Sequence, residues 1–239
     1  MDPLNSKPTV RVATWNVEAR ADPGAVSLLL GLRADVLLLT EVHQALSLPG
    51  YRMTCLIEPR MRPGGQHYAA VAVRRGLEME ELQAPAVTTA AARVDSVTFV
   101  STVLPWVHAP SPPYVGATQA EQIENAVGEL VPWLAEQGEL VWGGDWNHPL
   151  RRPLTGFTVR GRDRLASAAD ELGLTVHTEG ELAQPTRHGR SYAIDHLASR
   201  HPKQAVEVVD GAPHSTHDAY VVELAFPRTP DGSGTPPAR

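Results

Sequence analysis

The chain has 239 residues, 42% of them hydrophobic, and a formal net charge of -6, which is enough apolar material for a real core and gives none of the basic surplus that duplex nucleic-acid binders use to neutralise phosphates. Its single cysteine, Cys55, excludes an intramolecular disulfide and a cysteine-based zinc site, and it suits a reducing compartment. No stretch approaches the length of a membrane span, so composition predicts a cytoplasmic protein without a membrane segment.

In chain order, residues 1–8 lack the apolar stretch of a secretory signal, and residues 10–15 read as an opening strand. Asp22 followed by Pro23 is a helix start, a capping side chain with proline at the first helical position. Val26, Leu29, Leu30 and Arg33 follow at helical spacing. Within residues 35–40 the run Val36, Leu37, Leu38, Leu39 predicts a strand buried on both faces, with Glu41 at its end. Residues 68–73 and 97–104 are further strands. Thr118 and Glu121 have capping-box spacing, and Ile123, Ala126, Val127, Leu130 and Leu134 form one apolar helix face; Pro132 is expected to distort the last turns. A short strand over 140–142 leads into Gly143, Gly144, Asp145, Trp146 and Asn147. A helix over 163–172 stops at Gly173, and 193–197, 205–209 and 219–226 read as closing strands. From Arg228 onward Pro, Gly, Thr and Ser dominate, which predicts one domain over 1–227 and a frayed tail over 228–239. Strands occur throughout, but a regular strand–helix alternation is absent, which disfavours a plain doubly wound sheet.

Five polar clusters stand at strand ends: Trp15-Asn16, Thr40-Glu41, Gly144-Asp145-Trp146-Asn147, Ile194-Asp195-His196 and Ser215-Thr216-His217. Singly, each has an ordinary explanation, as a turn residue, a solvated strand end or a surface histidine. Together they make an oxygen-rich set suited to a hard cation such as magnesium or manganese. An added histidine can donate to a phosphoryl oxygen or move a proton. Phosphoester hydrolysis needs these parts: a cation, a group that orients water, and donors for the charged transition state.

In this order the clusters resemble the motifs of the endonuclease/exonuclease/phosphatase superfamily: a first-strand Trp-Asn, a strand-end Thr-Glu, a Gly-Asp-x-Asn, a late Asp before Tyr or His, and a terminal Ser-Asp-His. The resemblance runs over residues 9–226. It implies a four-layer α/β/β/α sandwich of two mixed, mainly antiparallel sheets flanked by helices, with the site where loops converge at one sheet edge. It further implies a phosphoester hydrolase using Mg2+ or Mn2+, a phosphodiesterase or nuclease before a phosphatase, acting on nucleic acid or a small phosphodiester. By resemblance Glu41 is the principal metal ligand, Asn16 supports it, and Glu18 falls where some members carry a second metal-associated carboxylate. Asp145 orients the water, Asn147 holds the phosphate, and His217 contacts it with Asp195 fixing the imidazole ring.

Two departures stand out. Thr216 replaces the family's aspartate before the last histidine, which raises a catalytically weakened phosphate-binding module as the alternative. The strand ending near Leu104 lacks the family's Tyr or His, for which His108 in the following loop is the candidate substitute. Arg151 and Arg152, with Arg160, Arg162 and Arg164, make a locally basic stretch that either attracts phosphate or is a solvated face.

Overall fold

The computed structural model describes residues 9–54, 58, 61, 64–151, 157–179 and 193–226. Cys55, Arg152, His188, the first eight residues and the 228–239 tail lie outside them. Two six-stranded sheets stack face to face. The first runs β11-β12-β1-β2-β4-β3, from Lys203–Val209, Ala219–Ala225, Thr9–Asn16, Val36–His43, Gln66–Arg74 and Tyr51–Met53. The second runs β5-β6-β7-β8-β10-β9, from Glu80–Leu82, Thr89–Val94, Val97–Thr102, Glu139–Asp145, Asp195–Ser199 and Thr175–Val176. Each sheet is antiparallel except for one parallel pair, β1 with β2 and β7 with β8. Parallel neighbours need a crossover, and helix α1 (Pro23–Gly31) supplies the first, α2 (Gln119–Ala135) the second. A third helix, α3 (Val159–Glu171), follows β8. The expected four-layer sandwich is the observed one.

Strand alternation sorts the side chains. Val12, Val36, Leu38, Val71, Val141 and Leu197 point between the sheets. Ala13, Trp15, Leu37 and Leu39 face α1 through Ala25 and Leu29. Trp142, Trp146 and Ala198 face α2 and α3. The run Val36–Leu39 is therefore buried on both sides, as its unbroken apolar character predicts. Asp22 caps α1 by accepting from the amides of Gly24 and Ala25, and Thr118 with Glu121 closes a full capping box on α2.

Helix α2 contains Pro132 in its last turn and ends at Ala135. Two expectations are revised. Helix α3 begins at Val159 rather than near 163, because Thr158 caps it by accepting from the Gly161 amide. Strands β3, β5, β6 and β9 are additional. Among them β6 carries Thr89, Ala90, Ala91, Ala92, Arg93 and Val94, and its alanines give no strand signal. Among the described residues no helix is long and apolar enough to cross a membrane.

Candidate active site at the sheet edge

The carboxyl ends of both parallel pairs meet at one edge of the sandwich, where open sheets present loops and ligand crevices. Asn16 ends β1 and Asp145 ends β8. By alternation Asn16 shares the inter-sheet face of Val12, and Asp145 that of Val141. Asp195 opens β10 directly opposite Asp145 in the ladder, so the two carboxylates lie side by side. Gly144 makes this possible. Its φ is +121°, and a Cβ there would fall 2.2 Å from the Thr102 carbonyl oxygen.

Alternation alone would turn Glu41 toward α1. Instead Glu41 adopts φ +53° and drops out of the β2–β4 pairing, between the register pairs Thr40 with Ala69 and Val42 with His67. This left-handed residue re-aims the carboxylate inward. Asn147 (φ +53°), Glu18 (φ +44°) and Ala19 (φ +59°) are also left-handed. Non-glycine residues in that region are uncommon and strained, and they gather at functional sites.

Asn16, fully buried, joins the two sheets: its side-chain amide donates to Glu41 Oε1 at 3.1 Å and to Asp145 Oδ2 at 3.0 Å, while its Oδ1 accepts from the Glu18 amide at 2.9 Å. Asp145 Oδ1 accepts from the Asn147 amide at 2.9 Å, and the Asn147 side chain donates to the Leu104 carbonyl at 2.9 Å. His217 Nδ1 lies 2.6 Å from Asp195 Oδ2. Ser215 ties this loop down by donating to the Asn16 carbonyl at 2.7 Å and accepting from the His217 amide at 3.0 Å. The Trp15 indole donates to the His217 carbonyl at 2.9 Å. Gly211 is required beneath it, since a Cβ would sit 1.9 Å from that same carbonyl.

Charge in this cluster is one-sided. Burial, then the neighbouring Asp195, push the Asp145 carboxyl up to about 7. Burial alone would push His217 down, but the charge and hydrogen bond of Asp195, with Asp145 and Glu18 behind them, carry it up to about 10. Both folded values lie above the unfolded ones, so both groups stabilise the fold at low pH and lose that contribution as pH rises. For His217 the window runs from pH 6.5 to about 10. Tm in chelator-containing buffer is therefore expected to fall across that range, and His217→Gln to flatten the slope. A wild-type profile that is level over this window would contradict the ion pair.

Ligand atoms of Asp145, Asp195 and His217 lie within 4.8 Å of one another. Asp195 Oδ1 is buried without a hydrogen-bond partner. Among the described residues no Lys or Arg forms an ion pair with Glu41, Asp145 or Asp195. An oxygen-rich, under-neutralised set with an unused buried oxygen fits a hard divalent cation.

The expected residues fall into two groups. Asn16, Glu41, Asp145 and Asn147 are joined by hydrogen bonds, and the Asp195–His217 pair stands beside them through the ladder position of Asp195 opposite Asp145. Glu18 borders them, and its carboxylate accepts from both the amide and the hydroxyl of Thr216. The other group stands apart. His108 is exposed on the loop after β7 and has no hydrogen bond to the cluster. Arg151 is exposed, with its guanidinium 3.9 Å from Glu179, and Arg152 is outside the described residues. Arg160, Arg162 and Arg164 pair with Glu124, Asp163 and Glu171 on or beside α3, which makes that basic stretch an internally neutralised helix face. Gln66, unremarked in the sequence, donates to Glu41 Oε2 at 2.5 Å. Its only sequence signal is a polar residue at the entry to an apolar strand.

Residues 13–232 match the family model described as Endonuclease/Exonuclease/phosphatase family. Among solved structures, the AP endonuclease LMAP from Leishmania major superposes with a TM-score of 0.67 at 14% identity, covering 95% of this chain and 90% of that one. The endonuclease domain of TRAS1, a telomere-specific non-LTR retrotransposon, gives 0.63 at 19%, covering 92% and 100%. The 3' phosphatase NExo from Neisseria, bound to a product DNA hairpin, gives 0.63 at 16%, covering 91% and 100%. No curated protein sequence matches the chain.

Proposed function

We propose that this chain, which belongs to the Endonuclease/Exonuclease/phosphatase family, is a divalent-cation-dependent hydrolase whose first substrate class is phosphodiesters, nucleic acid included, with phosphomonoesters second. The observation that supports the reading is the Asp195–His217 pair, with Asp195 buried and His217 half-buried, facing Asp145, beside a Glu41 held to the same asparagine as Asp145. A bound Mg2+ or Mn2+ supplies charge neutralisation at the phosphoryl oxygens.

Glu41 is assigned as the principal holder of the cation on the strength of its family motif, with Glu18 at its border and the close group of Asp145, Asp195 and His217 on the other side of Asn16. Asn16 keeps Glu41 and Asp145 at a fixed spacing through one amide nitrogen. Asp145, anchored by Asn16 and the Asn147 amide, orients the attacking water and takes up its proton; a carboxyl poised near neutrality suits that task. Asp195 occupies Nδ1 of His217, which leaves the Nε2–H of the imidazolium to donate to the phosphoryl oxygen as negative charge develops there. Asn147 has a second amide hydrogen for the phosphate beyond the one given to Leu104. His108 and Arg151 stand outside this bonded set and are assigned no step.

The test is a panel of initial rates with Mg2+ and with Mn2+: bis(4-nitrophenyl) phosphate, 4-nitrophenyl phosphate, single-stranded oligonucleotide and plasmid duplex. Faster turnover of the diester than of the monoester supports the reading. The reverse order assigns a phosphatase, and no turnover of any substrate contradicts both.

The alternative, a phosphate-binding module without turnover, draws on Thr216. Its hydroxyl and amide both go to Glu18, so a neutral residue stands beside an acid that borders the site. Cation affinity rises with ligand charge. Thr216→Asp is expected to tighten Mn2+ binding by about tenfold, read by calorimetry. An unchanged Kd would mean that position 216 does not sense the cation.

A further inference from the structure

We propose that Gln66 is a positioning residue for Glu41, setting the cation affinity of the site by locking the rotation of that carboxylate with an uncharged donor; this rests on the reading that Glu41 holds the cation. The terminal torsion of a glutamate is broad and roughly two-fold, so a lone glutamate presents its oxygens in many orientations. Here each oxygen has its own donor: Asn16 on Oε1 and Gln66 on Oε2. Two donors on opposite oxygens fix the carboxylate plane.

Gln66 is itself held in place. It is 7% exposed, its carbonyl accepts from the Met61 amide at 2.8 Å, and it opens β4 in register with His43 at the end of β2. The preceding Gly65 has φ +93°, and a Cβ there would fall 2.5 Å from the Gln44 side chain, while its carbonyl accepts from the Gln44 amide at 2.7 Å. The turn before β4 is thus fixed to the end of β2, and the amide head reaches across from one strand to the other. A left-handed Glu41 lies outside the ladder, so cross-strand pairing does not set the direction of its side chain.

The uncharged character matters as much as the reach. A lysine or arginine here would orient Glu41 equally well but would neutralise it and compete with the cation. An amide orients the carboxylate and leaves its full charge and remaining lone pairs available. Outer partners of metal ligands of this kind change affinity by about 10- to 100-fold.

The experiment measures free Mn2+ by electron paramagnetic resonance during titration of the wild-type chain and of Gln66→Met, Gln66→Lys and Glu41→Gln. Gln66→Met keeps length and removes the donor; its Kd is expected to rise about tenfold or more, with kcat returning to within a few-fold of wild type at saturating Mn2+. Gln66→Lys is expected to weaken binding further, because its ammonium becomes the counter-ion of Glu41. A wild-type Kd in Gln66→Met would overturn the proposal. Should Gln66→Met fail to fold, Gln66→Leu, which also removes the donor without adding charge, takes its place: a wild-type Kd overturns the proposal and a weakened one supports it. If Glu41→Gln binds Mn2+ as tightly as wild type, the reading of Glu41 fails instead, and the two failures are told apart.

Discussion

His217→Gln and Asp145→Asn are each expected to lower kcat by about a hundredfold or more, the usual scale for acid–base and electrostatic groups. Glutamine is preferred to alanine at 217 because its amide keeps a hydrogen-bond donor beside Asp195 while removing the charge and the titratable nitrogen. Asparagine at 145 retains the size of the aspartate and an oxygen for the Asn147 amide, and removes the charge that opposes Asp195. Its second terminal atom becomes an NH2 facing the Asn16 donor, so Tm in chelator is measured beside kcat to separate lost chemistry from lost folding. Steady-state kinetics on a small phosphodiester checks both. A rise confined to KM, with kcat unchanged, would assign these residues to binding rather than to the chemical step.

Glu41→Gln is expected to retain the fold and lose most cation-dependent turnover. The amide can still face Asn16 and Gln66, but it offers a hard cation a neutral oxygen in place of a charged one. The expected outcome is a Mn2+ dependence displaced to concentrations at least about tenfold higher, with kcat/KM depressed at physiological Mg2+. Circular dichroism checks the fold. Wild-type turnover by this variant would remove Glu41 from the mechanism.

Much of the site is written locally in the sequence. Asn16 and Asp145 sit at the ends of apolar strands, and strand alternation is enough to place both on the inter-sheet face. Glu41 is different. It ends an apolar run, but alternation sends it to the wrong side, and only its left-handed backbone returns it. No residue type at position 41 announces that conformation, since glutamate gains nothing from it. The contacts that assemble the cluster span long separations, 129 residues from Asn16 to Asp145 and 22 from Asp195 to His217. Periodicity, a short-range signal, does not carry such distances; the order of the five motifs does, by resemblance. Gln66 escaped because its partner lies on a neighbouring strand. The alanine-rich β6 escaped because its burial comes from the facing sheet rather than from its own side chains.

The most direct test of a cation-dependent site held by Glu41 is hydrolysis of bis(4-nitrophenyl) phosphate by metal-stripped protein as Mn2+ is titrated in and then withdrawn by excess chelator. No turnover at the start, saturable activation by Mn2+, loss on chelation, and no activation in Glu41→Gln over the same concentration range are expected. Turnover that is undiminished in excess chelator would contradict cation dependence.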